Sequence, residues 1–473
     1  MMKNWKRTKI IATIGPASRN KRVLSAMIHA GADIFRINGA HGTFDEHKKA
    51  IDLIRTVAKQ KNTSIGILLD LPGPKFRIGT LKKEPLRLKI GDRVTLVCNQ
   101  ARQSDARIPI PHKEIHRALK IGGKIFINDG IVELRVNKVV GKEVFCTVKT
   151  PGEISSHKGI NLPNAKLKIP SLTAQDKKIL AFAIRQDVDY IALSFVRSAK
   201  DILALRKILD RRAPHIGVVA KIEKPEALDD LNHIIQVSDA IMVARGDLGI
   251  EMPFNRIPLI QRMILNKCMA AGKPSITATQ MLESMISAEK PTRAEATDVA
   301  GAVWEGSDAV MLSAETSVGI SPPAAVNAMM QIALEAEKEM PRFVNPKFAS
   351  DDNALQAQVL CYAASFIAES LNAKAIVTPT RSGRTPLFVS RARPKIPILA
   401  LAENEHVARR MSLYWGVYPI AMPKFSTVDE LLLYAERLAL KSGFIKKGEK
   451  IVITSGAHGR KNDITKLIEV RQV

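Results

Sequence analysis

The chain has 473 residues, 46% of them hydrophobic, with 72 lysines and arginines against 46 acids and a formal charge of +26. That length leaves room for roughly three domains with sizeable cores. The apolar stretches are short and interrupted by charge, so no bilayer-spanning segment is expected. The basic residues are spread through every segment, with no long run and no aromatic interleaving. We therefore read the charge as a solvated surface favouring anionic ligands, not as a nucleic-acid interface.

The opening MMKNWKRTKI is basic but has no apolar core of signal-peptide length. Cys98, Cys146, Cys268 and Cys361 lie far apart, without metal-type spacing or a disulfide framework. A reducing, cytoplasmic setting is expected.

Apolar strand candidates recur at 9–13, 34–37, 65–69, 190–194, 217–220, 240–244, 274–277 and 309–312. Helix-period segments at 21–30, 47–59, 200–209 and 256–271 fill intervals between them. Eight such units predict a (β/α)8 TIM barrel. The long gap between the third and fourth strands carries short alternating strands at 93–97, 124–127, 132–136 and 144–148. These are joined by turn signals such as Asn128-Asp129-Gly130. The gap reads as a small β-barrel lid domain at 76–168, inserted into a barrel domain of 1–75 and 169–345. From 346 to 473 helix and strand signals alternate through 353–371, 375–378, 398–401, 407–414, 431–440 and 450–454, predicting a C-terminal α/β domain.

Polar chemistry collects where the barrel strands end. The sixth strand runs into Arg245-Gly246-Asp247-Leu248-Gly249, and the fifth ends in Lys221-Ile222-Glu223. If these strands are neighbours, two carboxylates meet one ammonium, a set suited to a divalent cation and phosphoryl transfer. The other ends carry Arg36 to Gly42, Asp70 to Arg77, Ser194 to Arg197, Thr279 to Met285 and Ser313 to Thr316. Stability gives no reason to gather such groups at one rim, whereas barrel enzymes keep their active sites there. In the C-terminal domain, Arg381-Ser382-Gly383-Arg384-Thr385 opens a helix and suits a phosphate. Read alone, it is more simply a polar connector.

The segments KGINLP, KIEKPEAL, IMVARGDLGIE, TATQMLESM and PTRAEATDVAGAVWEGSDAVMLSAET resemble the signatures of the pyruvate kinase family. The resemblance runs from Lys9 to the C-terminus. It implies transfer of the phosphoryl group of phosphoenolpyruvate to ADP in a homotetramer. It implies that Arg36 and Lys221 hold the phosphoryl group, and that Lys221 also stabilises the enolate. Glu223 and Asp247 would bind Mg²⁺ or Mn²⁺. The backbone from Ala244 to Asp247, including Gly246, and the Thr279 hydroxyl would seat the substrate carboxylate. His41, Arg77 and Lys158 would face ADP/ATP or the moving phosphate, and Ser313 and Glu315 match a proton-delivery network. The Ser382, Gly383, Arg384 and Thr385 loop would take a sugar phosphate or AMP effector.

The chain departs from the family where an activating K⁺ is bound. Asn38-Gly39-Ala40-His41 replaces an Asn-Phe-Ser-His run, and Asp70-Leu71-Pro72-Gly73-Pro74-Lys75 replaces Asp-Thr-Lys-Gly-Pro-Glu. Lys75 is therefore expected near Asn38 and Asp70 as a substitute for K⁺, which would not be required. Two other readings stay open: a member that has lost activity and serves as a sensor or nucleic-acid binder, and another barrel enzyme handling phosphoenolpyruvate or pyruvate.

Overall fold

Eight parallel strands close on themselves, each buried along most or all of its length. They are β1 (Lys9–Thr13), β2 (Ile34–Asn38), β3 (Gly66–Leu71), β4 (Tyr190–Leu193), β5 (Gly217–Ile222), β6 (Ala240–Ala244), β7 (Ser275–Ala278) and β8 (Ala309–Leu312). The computed structural model describes residues 5–103, 107–163, 170–340, 352–424, 427–456 and 465–473. All eight expected strands are present, and each pairs with its sequence neighbour around the ring, β8 returning to β1. Strand alternation divides the apolar residues between two sides. Ile67, Leu69, Leu71, Val218, Ala220 and Val243 pack outward against the helices. Ile11, Ile34, Leu68, Ala192, Val219 and Met242 fill the barrel interior. The surrounding helices start on strong caps. Thr43, Thr173 and Thr292 each form a reciprocal capping box with an acid three residues on.

Between β3 and β4 lies a barrel-like seven-stranded sheet running from Phe76–Arg77 to Gly159–Asn161, with an apolar core of its own. The four expected strands appear within Arg93–Cys98, Lys124–Ile127, Val132–Val140 and Glu143–Thr150. The two strands that leave and re-enter the barrel pair with each other, Arg77 opposite Gly159 and Phe76 opposite Ile160. The proposed domain boundaries at 168/169 and 345/346 lie outside the described residues.

The C-terminal segment forms a five-stranded sheet in which Ala375–Thr380 is central and Thr465–Gln472 is an antiparallel edge. Sequence periodicity missed that edge strand and Val417–Ala421. The second contains Pro419, which marks a non-strand or an edge, and it is an edge strand here. This domain plugs the floor of the barrel. The interior cluster continues through Tyr190 to Met411, Leu413 and Tyr414, and Tyr190 Oη donates to the Arg410 carbonyl at 2.7 Å. No helix among the described residues is long and apolar enough to cross a membrane.

Candidate active site

The inward-facing parity of β2 to β5 turns from apolar to polar at the carboxyl end. Ile34 is followed two residues on by Arg36, Leu68 by Asp70, Ala192 by Ser194, and Val219 by Lys221 and then Glu223. Parallel register then brings these groups to one level, since Asn38 lies opposite Asp70 and Asp70 opposite Ala192. The residues that sequence reading assigned to separate strand ends therefore share one polar floor at the C-terminal rim.

The floor is an ion-pair network. Arg36 donates from Nε (2.8 Å) and Nη2 (2.5 Å) to Asp70 Oδ2, and its Nη1 reaches Thr13 Oγ1 at 3.2 Å. Lys221 Nζ lies 2.8 Å from Glu223 Oε1 and 3.5 Å from Asp70 Oδ2, and donates to Ser194 Oγ at 2.8 Å. Burial works to lower the Lys221 pKa, but the Asp70 and Glu223 carboxylates outweigh it and hold the ammonium well above the ordinary lysine value. Burial likewise opposes ionisation of Asp70, yet Arg36 and Lys221 keep its carboxyl below the usual range.

Glu223 behaves differently. Burial raises its pKa, Lys221 counters, and the charge of Asp247 pushes it up again. Its Oε2 accepts from the Phe195 amide at 2.7 Å, in a residue held at φ +55°. Its Oε1 is buried and faces the Lys221 ammonium at 2.8 Å. This buried carboxylate, together with the half-buried carboxylate of Asp247 whose charge it feels, is a donor set that fits a hard divalent cation.

Asp247 stands on the short helix Arg245–Glu251, directly after β6. The Gly246 amide donates to Thr279 Oγ1 at 2.7 Å, which ties this turn to the end of β7. Thr279 and Gln280 are both held in the left-handed region, at φ +71° and +55°. Arg245 secures them, donating to the carbonyls of Thr279 (2.8 Å) and Gln280 (3.3 Å) while pairing with Asp298 at 2.7 Å. Sequence reading gave Arg245 no role. Its signal was the guanidinium at the head of the RGDLG turn.

Lys75 corrects an expectation. Its ammonium is not within ion-pair distance of Asp70, whose carboxylate is occupied by Arg36 and Lys221. It lies 3.9 Å from Asp247 Oδ1 and 3.9 Å from Asp129 Oδ1, between the rim and the lid. Gly39 packs against the rim. Its amide donates to the Asp70 carbonyl at 3.2 Å, and a Cβ there would come within 2.4 Å of that oxygen. Leu71 points outward into the apolar core, whereas Ala40 is exposed at the rim.

The remaining candidates are more open. His41 is exposed on the turn after β2, and the Lys158 side chain is exposed on the lid. Arg77 Nη1 donates to the His157 carbonyl at 3.1 Å, which brings Arg77 beside the Lys158 segment. Glu315 is committed to the backbone, accepting from the amides of Ser313 (2.6 Å) and Leu282 (3.2 Å). In the C-terminal domain, Gly383 at φ +84° begins the helix Arg384–Arg391, and its amide donates to Thr380 Oγ1 at 2.9 Å. Ser382 and Arg384 are exposed, and Thr385 is buried.

Comparison with known proteins agrees with this geometry. The family described as the pyruvate kinase barrel domain matches residues 5–326, and that described as the pyruvate kinase alpha/beta domain matches residues 358–471. A protein named pyruvate kinase from Clostridium acetobutylicum is 40% identical over 471 residues, covering 99% of both chains. Those of Agrobacterium vitis (42% identical, 95% of both chains) and Geobacillus stearothermophilus (39%, covering 99% of this chain and 80% of the relative) are similar. With a closed barrel, an inserted lid sheet, a C-terminal α/β domain and these full-length matches, the chain belongs to the pyruvate kinase family and is a phosphotransferase.

Proposed function

We propose that the rim transfers the phosphoryl group of phosphoenolpyruvate to ADP in a reaction that needs a divalent cation but no K⁺. The observation that carries this reading is the buried Lys221 ammonium, held between Asp70, Ser194 and the buried carboxylate of Glu223. A cation fixed at the base of a water-poor rim stabilises charge that develops during transfer without reorganising at that moment. Arg36, oriented by its double contact with Asp70, presents its guanidinium to the phosphoryl oxygens. The Gly246 turn and the Thr279 hydroxyl, pre-set by Arg245, orient the substrate carboxylate. Arg77 and Lys158 on the lid, with His41 on the barrel, meet the nucleotide as the lid closes. Glu223 and Asp247 would hold Mg²⁺ or Mn²⁺, which when bound neutralises phosphate and carboxylate charge. The enolate left by transfer is stabilised by Lys221 until it is protonated to pyruvate, which draws the reaction forward.

Lys75 supplies the monovalent charge. Its position beside Asp247 supports a role at the metal ligand and lid instead of in the coordination shell of a lost ion. The exposed Ser382 and Arg384 beside the Gly383 turn support effector phosphate binding, and assembly as a homotetramer follows the resemblance. The test is a lactate-dehydrogenase-coupled assay with phosphoenolpyruvate, ADP and Mg²⁺ in tetraalkylammonium buffer, with and without KCl. Full turnover without K⁺ is expected. No turnover refutes the transfer, and strong activation by K⁺ but not by matched Na⁺ refutes the role of Lys75.

A further inference from the structure

At the opposite end of the barrel, three metal-type ligands from two domains meet at one point. Asp187 lies in the turn before β4, His215 in the turn before β5, and His406 in the C-terminal helix Glu405–Met411. Their ligand atoms all lie within 4.8 Å of one another. His215 Nε2 is 2.9 Å from Asp187 Oδ1, and His406 Nδ1 is 3.1 Å from Asp187 Oδ2. We propose that Asp187, His215 and His406 form a transition-metal site, of the Zn²⁺ class, that clamps the C-terminal domain to the barrel floor.

The chemistry of the cluster favours a cation over a plain ion pair. Arg409 Nη2 donates toward His406 Nδ1 at 2.8 Å and toward Asp187 Oδ2 at 2.9 Å. A guanidinium can only donate, so Nδ1 presents its lone pair. That leaves a lone-pair nitrogen and a carboxylate oxygen 3.1 Å apart, an arrangement that needs a positive centre between them. Arg409 now fills that place from one side. Its Nη2 can leave Nδ1 while keeping Asp187 Oδ2, because the rest of the guanidinium is anchored, Nε on Asp189 Oδ1 at 2.7 Å and Nη1 3.6 Å from Glu405.

Asp187 is itself held in position. Its backbone sits at φ +52°, and its carbonyl accepts from Arg55 Nη2 at 3.0 Å. With one oxygen on the metal, the other stays on Arg409, the kind of supporting hydrogen bond that orients a ligating carboxylate. Donors around a tetrahedral Zn²⁺ with bonds of about 2.0–2.2 Å lie roughly 3.4 Å apart, so the widest separation in the cluster has to close by about an ångström. The fourth position goes to water. Two imidazoles with one carboxylate select Zn²⁺, Co²⁺ or Ni²⁺ over Mg²⁺ or Ca²⁺.

The test uses the full-length protein, stripped with chelator and held in excess Mg²⁺ so that Glu223 and Asp247 are filled. Zn²⁺ is then added and bound metal counted, the unfolding midpoint is followed, and Co²⁺ is used as a visible-absorption probe. The wild type should bind one Zn²⁺ per chain more than His215→Ala or His406→Ala. Its midpoint should rise with Zn²⁺ while theirs does not, and Co²⁺ should give the intense bands of a four-coordinate site only in the wild type. Unchanged Mg²⁺-dependent turnover in both variants shows that they are folded. Equal uptake in all three proteins overturns the proposal. So does a wild type with no extra metal and no four-coordinate Co²⁺ spectrum, whose midpoint responds to pH alone, since the cluster is then an ion-pair bridge only. The wild-type Co²⁺ spectrum decides even where a variant fails to fold.

Discussion

Replacing Lys221 by methionine removes a unit charge while nearly keeping the length and burial of the side chain. The lysine is 8% exposed, and its partners Asp70 and Glu223 are 2% and 1% exposed, so solvent screens little of the loss. A unit charge about 4 Å from the transferring group is worth roughly 4 kcal/mol at an effective dielectric near 20. At about 1.4 kcal/mol per tenfold change, kcat should fall by about three orders of magnitude. The loss should appear in kcat more than in KM, because the ammonium matters most when enolate charge develops. Arg36 still neutralises Asp70 in the variant, whereas Glu223 loses its only nearby ammonium and its carboxyl shifts further upward. Breaking a buried pair can cost about 3–5 kcal/mol of stability, so the unfolding midpoint in Mg²⁺ is measured beside the coupled assay. A folded, Mg²⁺-binding Lys221→Met enzyme whose kcat stays within about tenfold of the wild type would refute the electrostatic argument.

Four further outcomes are expected. Glu223 has a folded pKa above its ordinary value, so its proton stabilises the metal-free fold at low pH, and that contribution is lost as pH rises through the raised pKa. Metal binding needs the carboxylate, so the Mg²⁺-induced rise in unfolding temperature should shrink between about pH 8 and about pH 5; a pH-independent rise counts against Glu223 as ligand. Gly39→Ala forces a Cβ against the Asp70 carbonyl and should cost about 1–3 kcal/mol in denaturant unfolding, together with turnover; an unchanged midpoint shows that the turn yields freely. Lys75→Glu should lose activity that added K⁺ restores only slightly, and Ala40→Ser with Leu71→Thr should help little because position 71 faces the core; unchanged K⁺-free turnover in Lys75→Glu removes Lys75 from its assigned role. Alanine at Ser382, Arg384 and Thr385 should abolish a sugar-phosphate or AMP response of about 1–3 kcal/mol while sparing basal rate, and an intact response places the effector elsewhere.

Periodicity was enough to find the barrel, because each of its strands is a short, nearly continuous apolar run buried on both faces. The C-terminal sheet was only partly legible. Pro419 hides an edge strand from a propensity argument, and Thr465–Gln472 carries its apolar residues among charges. At the active site, residue types and strand ends could be read, but pairings could not. Nothing in the spacing says that Asp70 belongs to Arg36 and Lys221, because that depends on four strands sharing one register across a closed ring. The displacement of Lys75 toward Asp247 has the same origin. Five residues separate it from Asp70 in sequence, yet the chain turns toward the lid at Gly73, φ +65°, and carries its ammonium to the neighbouring carboxylate.

The two ends of the barrel show why a strand-by-strand reading reached one site and not the other. At the carboxyl rim β2 to β5 contribute in phase, so inward parity alone collects Arg36, Asp70, Ser194, Lys221 and Glu223, and a sequence shows that phase. At the floor, Asp187 and His215 come from turns, and His406 from a helix about 190 residues further along. Their meeting depends on how the C-terminal domain seats on Tyr190 and Asp189, with Arg409 bonded to Asp189 at 2.7 Å and Tyr190 to the Arg410 carbonyl. That seating is fixed by the apolar cluster continuing from the barrel interior into Met411, Leu413 and Tyr414. The packing that closes the barrel is thus also what assembles the Asp187, His215 and His406 cluster. Loosening it, for example by Tyr414→Ala, should separate the three ligands while the rim, supported by strand register, keeps its geometry.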